Sequence, residues 1–206
     1  MSESFALVYF LILIVAIVVH EVSHGYAALF LGDTTAQDAG RLSLNPLRHV
    51  DIVGSIIVPL VSTYLGVPFG WAKPVPVNVS RLRNQRWGEA IVALAGPASN
   101  IIIGVIFGLI FRIASHYAIS ETAAYILMLI TTINIGLAVF NLLPIPPFDG
   151  SKILFALIPT RFAWIRSLLE TYQLGLVIVV LIFAPSVMVP VLEWSLHLLT
   201  GLSLQF

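Results

Sequence analysis

The chain reads as an all-α, multi-pass membrane protein: a helical bundle with a re-entrant or extended, β-like loop region between its first and next full span. Three observations predict this class. Hydrophobic residues fill 59% of the 206 positions and charged residues 10%, for a mean hydropathy of +1.01, whereas soluble domains are roughly a quarter charged. Several apolar runs reach the ~20 residues needed to cross a hydrocarbon core of about 30 Å. The basic residues, finally, fall almost entirely into loops that one topology gathers on a single side.

Apolar segments cover residues 5–31, 52–67, 89–114, 122–143 and 173–199. The first lacks a basic leader and so reads as a retained span rather than a cleaved signal. The second is short, contains Gly54 and Pro59, and runs into the Pro-rich stretch 68–76; it is expected to enter and leave on one side. Arg41, Arg48, Lys73, Arg81, Arg83, Arg86, Lys152, Arg161 and Arg166 then share one compartment, and only Arg112 is left to the other. That bias marks a cytoplasmic face, with the N-terminus outside and residues 32–87 as a cytoplasmic loop region. The third and fourth segments are ordinary spans. The fifth holds Pro185 and Pro190 and is either one kinked span or a helix followed by a shallow, dipping piece. All 206 residues form one expected domain, with a core of about 5–160 and a C-terminal membrane segment of about 173–200. Net charge is zero, so no nucleic-acid partner is expected. No cysteine is present, so any metal must be held by histidine, carboxylate or solvent.

The first segment contains His20-Glu21-Val22-Ser23-His24. Ionisable groups within a span are costly and therefore functional by default. Positions i and i+4 of a helix project from one face, so both imidazoles can hold a single ion with Glu21 beside it. His20 lies 15 residues beyond Phe5, about 22 Å along a helix, inside the hydrocarbon zone but towards the cytoplasmic end. The pattern predicts a hydrolase with one zinc ion per chain: zinc acidifies a water and Glu21 accepts its proton. A catalytic zinc usually takes three protein ligands. Asp149 is the best third candidate, following the fourth segment in Asn141-Leu-Leu-Pro-Ile-Pro-Pro-Phe-Asp149-Gly150. Three prolines forbid a regular helix there, and Gly150 is expected to allow an unusual backbone conformation beside the ligand.

Together these motifs resemble the site-2 protease family of intramembrane metalloproteases. The stretches Gly40-Arg-Leu-Ser-Leu-Asn-Pro46, Phe69-Gly-Trp-Ala-Lys-Pro-Val-Pro-Val-Asn78 and Ala95-Gly-Pro-Ala-Ser-Asn100 are similar to its small prokaryotic branch without PDZ or CBS domains. The resemblance covers about residues 10–160. It implies that His20, His24 and Asp149 bind zinc, that Glu21 activates the water, and that Asn141 holds substrate or stabilises the oxyanion. It further implies that the third segment, with Gly96 and Asn100, faces substrate. An amide at membrane depth needs a partner, so Asn141 and Asn134 are also candidates for bonds between helices. Gly96, Asn100 and Gly104 recur at a spacing that permits close helix contact.

The loop 70–79, with Trp71 and Pro74, alternates prolines with β-branched residues and suggests an extended edge that binds an unwound substrate strand. Such a substrate is a single-span membrane protein or peptide, cut in or near its span, because helical carbonyls stay inaccessible until the helix opens. The expected location is the plasma membrane, with the site towards the cytoplasm. The competing reading is an ion or metal transporter using the same His/Glu/Asp cluster. No internal repeat supports it, and Glu21 sits where a base belongs.

Overall fold

The computed structural model describes residues 3–51, 54 and 73–202; Trp71 and nearly all of segment 52–67 lie outside the described residues. Helix α1 spans Glu3–Phe30, the short α2 Thr35–Asp38, α3 Gln85–Ala114 and α4 Glu121–Asn141. After a proline-rich turn come α5, Asp149–Leu157, α6, Ala163–Thr171, and α7, Gln173–Thr200. There is no strand among the described residues. Helices α1, α3 and α4 are each long and apolar enough to cross a membrane.

Local chemistry sets the ends of these helices. Asn84 caps α3 by accepting from the Trp87 N–H, and Ser120 caps α4 by accepting from the Ala123 N–H, each meeting a donor the first turn leaves unpaired. Pro144, Pro146 and Pro147 keep α4 from continuing past Asn141. The long α3 is the hub, packed against α1, α4, α5 and α7. Its glycines admit close neighbours: Gly104 lies under Ile135 of α4, and Gly108 meets Thr131 and Leu199.

Two sets of contacts identify the ends of the bundle. At one end the rings of Phe5 and Tyr125 meet at 4.8 Å, and Arg112 donates to the Leu198 carbonyl at 3.2 Å. At the other, the Arg83 N–H donates to the Leu31 carbonyl at 3.0 Å, Arg86 grips the Ala156 and Ile158 carbonyls, and Arg166 holds Glu89 through two bonds of 2.9 and 3.0 Å. The exit of α1, the entry of α3 and the exit of α4 therefore share one end with α5 and α6. That parity is what lets Asp149 return to the histidines. The C-terminal segment turns by 73° between 160–171 and 173–183. Helix α7 then runs for 28 residues without interruption to the Arg112 end.

The loop leaving α1 is pinned by Asp33, which is fully buried. Its carboxylate accepts from the Thr35 N–H at 3.0 Å and from the Thr35 hydroxyl, and from the Asn78 N–H at 2.6 Å. Arg41 donates to the Lys73 carbonyl at 2.8 Å. These bonds lay Lys73–Asn78 along α1, in a path with neither helix nor strand pairing. Burial pushes the Asp33 carboxyl up, but the Thr35 and Asn78 hydrogen bonds outweigh it and hold the group below the usual carboxylate range. A carboxyl depressed in the folded state contributes stability that is present above its unfolded value, about 3.9, and lost as pH falls through the folded one. Asp33→Asn is accordingly expected to destabilise by about 1–3 kcal/mol at pH 7. The gap from wild type should narrow below pH ~4. Melting of both proteins in detergent at the two pH values checks this; a gap independent of pH would refute it.

Candidate metal centre

Helix α1 presents His20 and His24 one turn apart, with ring centroids 4.6 Å apart and planes at 88°. Their Nε2 atoms are 3.0 Å apart. Asp149, first residue of α5, brings Oδ2 to 3.1 Å from each of them. All three side chains are buried. Residues 20, 24 and 149 are thus brought together, each offering one donor atom to a common point.

The outer ring nitrogens decide what the inner ones can do. His24 Nδ1 lies 2.6 Å from the Val92 carbonyl oxygen, which can only accept, so Nδ1 carries the proton and Nε2 offers a lone pair. His20 Nδ1 lies 2.6 Å from Asn100 Oδ1, with the same consequence. Three electron-rich atoms therefore face one another at 3.0–3.1 Å. One proton can bridge only two of them, whereas a cation satisfies all three. Tetrahedral zinc with bonds of about 2.0–2.1 Å holds its donors roughly 3.3 Å apart, close to the spacing observed. The N, N, O donor set fits zinc.

Asp149 lies beyond the spanning helices, and burial pushes its carboxyl up. A proton shared between Oδ2 and His20 or His24, with the Lys152 ammonium 3.3 Å from Oδ1, outweighs that and holds it well below the usual carboxylate range. It is ionised, as a ligand must be.

Close backbone approach makes this geometry possible. A Cβ on Gly96 would stand 2.5 Å from His24 Nε2 and 2.6 Å from His20 Nε2, so the bare backbone of α3 backs the donor pair. Pro97 follows inside α3 and removes one intrahelical donor from this turn. Gly150 corrects the expectation of an unusual conformation. It lies within α5 with no positive φ, and what it provides is space, because a Cβ would collide with the Leu142 and Leu143 carbonyls.

A cleft of about 350 Å³ opens beside the three donors, lined among others by Glu21, Pro74, Val75, Val77, Glu89, Asn141 and Lys152. Glu21 accepts from the Val75 N–H at 2.9 Å, tying its carboxylate to the loop wall. Asn141 donates to the Leu137 carbonyl of its own helix at 2.9 Å rather than to a neighbouring helix. Asn100 is fully buried and faces His20 and Asn134, away from the cleft. Sequence reasoning missed this contact to His20, the Arg86 clamp and the Asp33 pin. An Asp-Thr-Thr turn after α1 was a readable signal for the last of these. The other two depend on how helices register in space.

Comparison with known proteins agrees with this geometry. The model of Peptidase family M50 matches residues 108–184. The protein named "Putative zinc metalloprotease YwhC" of Bacillus subtilis is 34% identical over 177 residues, covering 83% of this chain and 77% of that protein. Rip2 of Mycolicibacterium smegmatis, similarly named, is 30% identical over 84% of this chain and 65% of its own length. "Zinc metalloprotease MJ0392" of Methanocaldococcus jannaschii is 24% identical over 88% of this chain and 44% of its own length. No solved structure matches. A buried His-His-Asp cluster at one end of a membrane-spanning bundle, and a relative matched along most of both chains, lead to one assignment: the chain belongs to peptidase family M50, the site-2 protease family that its motifs resemble.

Proposed function

We propose that this multi-pass membrane protein is an intramembrane zinc endopeptidase that cuts single-span membrane proteins in or near their spans, as a step of regulated intramembrane proteolysis. The observation that carries the reading is the convergence of His20 Nε2, His24 Nε2 and Asp149 Oδ2 at 3.0–3.1 Å beside the Glu21 cleft. These three residues would hold the ion. When bound, zinc supplies Lewis acidity to a water and to the scissile carbonyl. Glu21 takes the proton of the attacking water and returns it to the leaving amine. Asn141, in the same cleft, offers an amide donor to the carbonyl oxygen as charge develops there. The Pro74–Val77 wall receives an extended stretch of substrate. Gly96 and Asn100 serve the histidines rather than the substrate.

Two experiments test this. Asp149→Ala is expected to lower zinc affinity at least tenfold and to abolish cleavage of a single-span model substrate. Unchanged zinc affinity would remove Asp149 from the ligand set. The nine-to-one division of basic residues supports a site on the cytoplasmic side of the plasma membrane. Accessibility tags near the N-terminus and Arg112 should then react from outside intact cells, and a tag near Arg83 only from inside. The inverse pattern would overturn the orientation and leave the chemistry intact.

A further inference from the structure

We propose that Asn100 and Asn134 form a two-amide relay that fixes the tautomer of His20 and thereby sets zinc affinity from outside the metal centre. The inference rests on the reading of His20 as a ligand. Asn134 sits on α4, touches none of the three metal-facing atoms, and serves as a positioning residue.

Two backbone carbonyls supply the argument, because they can only accept. Asn134 Nδ2 donates to the Ile130 carbonyl at 2.9 Å, which leaves Asn134 Oδ1 pointing away from it as an acceptor. Asn100 Nδ2 donates to that oxygen at 2.9 Å and to the Ala16 carbonyl at 3.3 Å. The Asn100 oxygen therefore faces His20 Nδ1, at 2.6 Å, and only a protonated Nδ1 satisfies it. Nε2 is left with the lone pair that a metal needs.

Turning the Asn100 amide over would set its oxygen against both Ala16 O and Asn134 Oδ1, and its NH₂ against His20 Nδ1. The ring would then carry its proton on Nε2 and could not ligate. Asn100 is 0% exposed and Asn134 2%, so water does not compensate a wrong orientation. His24 needs no such relay, since a backbone carbonyl orients it. A neutral amide orients the ring without adding a charge inside the span.

The test uses the full chain in detergent micelles. Zinc affinity is measured by chelator competition, and the His20 ring-nitrogen shifts are measured by ¹⁵N NMR on metal-free protein. Asn134→Leu is expected to mix the His20 tautomers and weaken zinc binding roughly tenfold. Asn100→Leu should do so by up to about a hundredfold. Asn100→Asp, which still presents only acceptors to His20, should keep the Nδ1–H tautomer although it disturbs the helix interface more. His20→Ala serves as the control. If it leaves zinc affinity unchanged, the ligand reading itself fails. If it abolishes binding while Asn134→Leu retains wild-type shifts and affinity, the relay is overturned and the ligand reading stands. A lowered melting temperature alone in Asn134→Leu also overturns it. Should Asn134→Leu fail to fold, the contrast between Asn100→Leu and Asn100→Asp decides, and identical tautomer populations in those two would refute the relay.

Discussion

Replacing Glu21 by Gln is expected to abolish peptide cleavage while leaving about one zinc per chain. Glu21 is next to His20 in sequence, yet it stands outside the cluster formed by residues 20, 24 and 149. Its carboxylate instead accepts from the Val75 N–H at 2.9 Å and lines the cleft. Glutamine is nearly isosteric, and its carbonyl oxygen can accept the same bond, so cleft shape and ligand positions persist. What disappears is a group able to take a proton from water and hand it to the leaving amine. General acid–base catalysis contributes about 10²–10⁴-fold, and loss of both transfers places the variant at or beyond the upper end. Metal analysis and cleavage of a single-span substrate in one preparation give the answer. Cleavage surviving within tenfold of wild type would exclude Glu21 as the base, and loss of zinc would instead make it a ligand.

How much of this was legible in the sequence depended on whether the feature was local. The pairing of His20 with His24 follows from helical periodicity alone, and the three long spans follow from apolar run length. Asp149 could be nominated because a cysteine-free chain with a two-histidine motif has few other donors, and because the topology suggested by loop charge returns it to the end where the first segment exits. The reason for Gly150 was misread: turn propensity suggested a special φ, but the demand comes from the Leu142 and Leu143 carbonyls, which only the folded turn brings near. Asn100 was expected to face substrate, whereas helix register turns it towards His20. In the sequence Arg86 is only one of nine basic residues on one side, and its guanidinium clamps the Ala156 and Ile158 carbonyls beyond the turn. Each of these depends on the rotation of one helix relative to another, and a pattern along one chain segment does not encode that rotation.

Gly96→Ala should remove zinc and activity together without unfolding the protein. In an isolated helix this change stabilises by about 1 kcal/mol, so intrinsic propensity acts against any loss of fold. The added Cβ would lie 2.5 Å from His24 Nε2 and 2.6 Å from His20 Nε2, well inside van der Waals contact. Neither ring is free to swing aside: Val92 O holds one and Asn100 Oδ1 the other, both at 2.6 Å. Relief requires α1 and α3 to separate by roughly an ångström, and misplacement on that scale costs about 10²-fold in rate. Gly104→Ala is the contrasting case. Its Cβ would meet Ile135 Cδ1 at 2.6 Å and Cγ1 at 2.7 Å, on a β-branched side chain stiff at χ1, so this change also strains helix packing, but about 12 Å along α3 from Gly96. That variant should keep its zinc at a lowered melting temperature, while Gly96→Ala loses zinc out of proportion to any fall in its own. Zinc bound by Gly96→Ala with wild-type affinity would mean that the imidazoles do not rest on the α3 backbone, and the close helix contact would no longer account for the site.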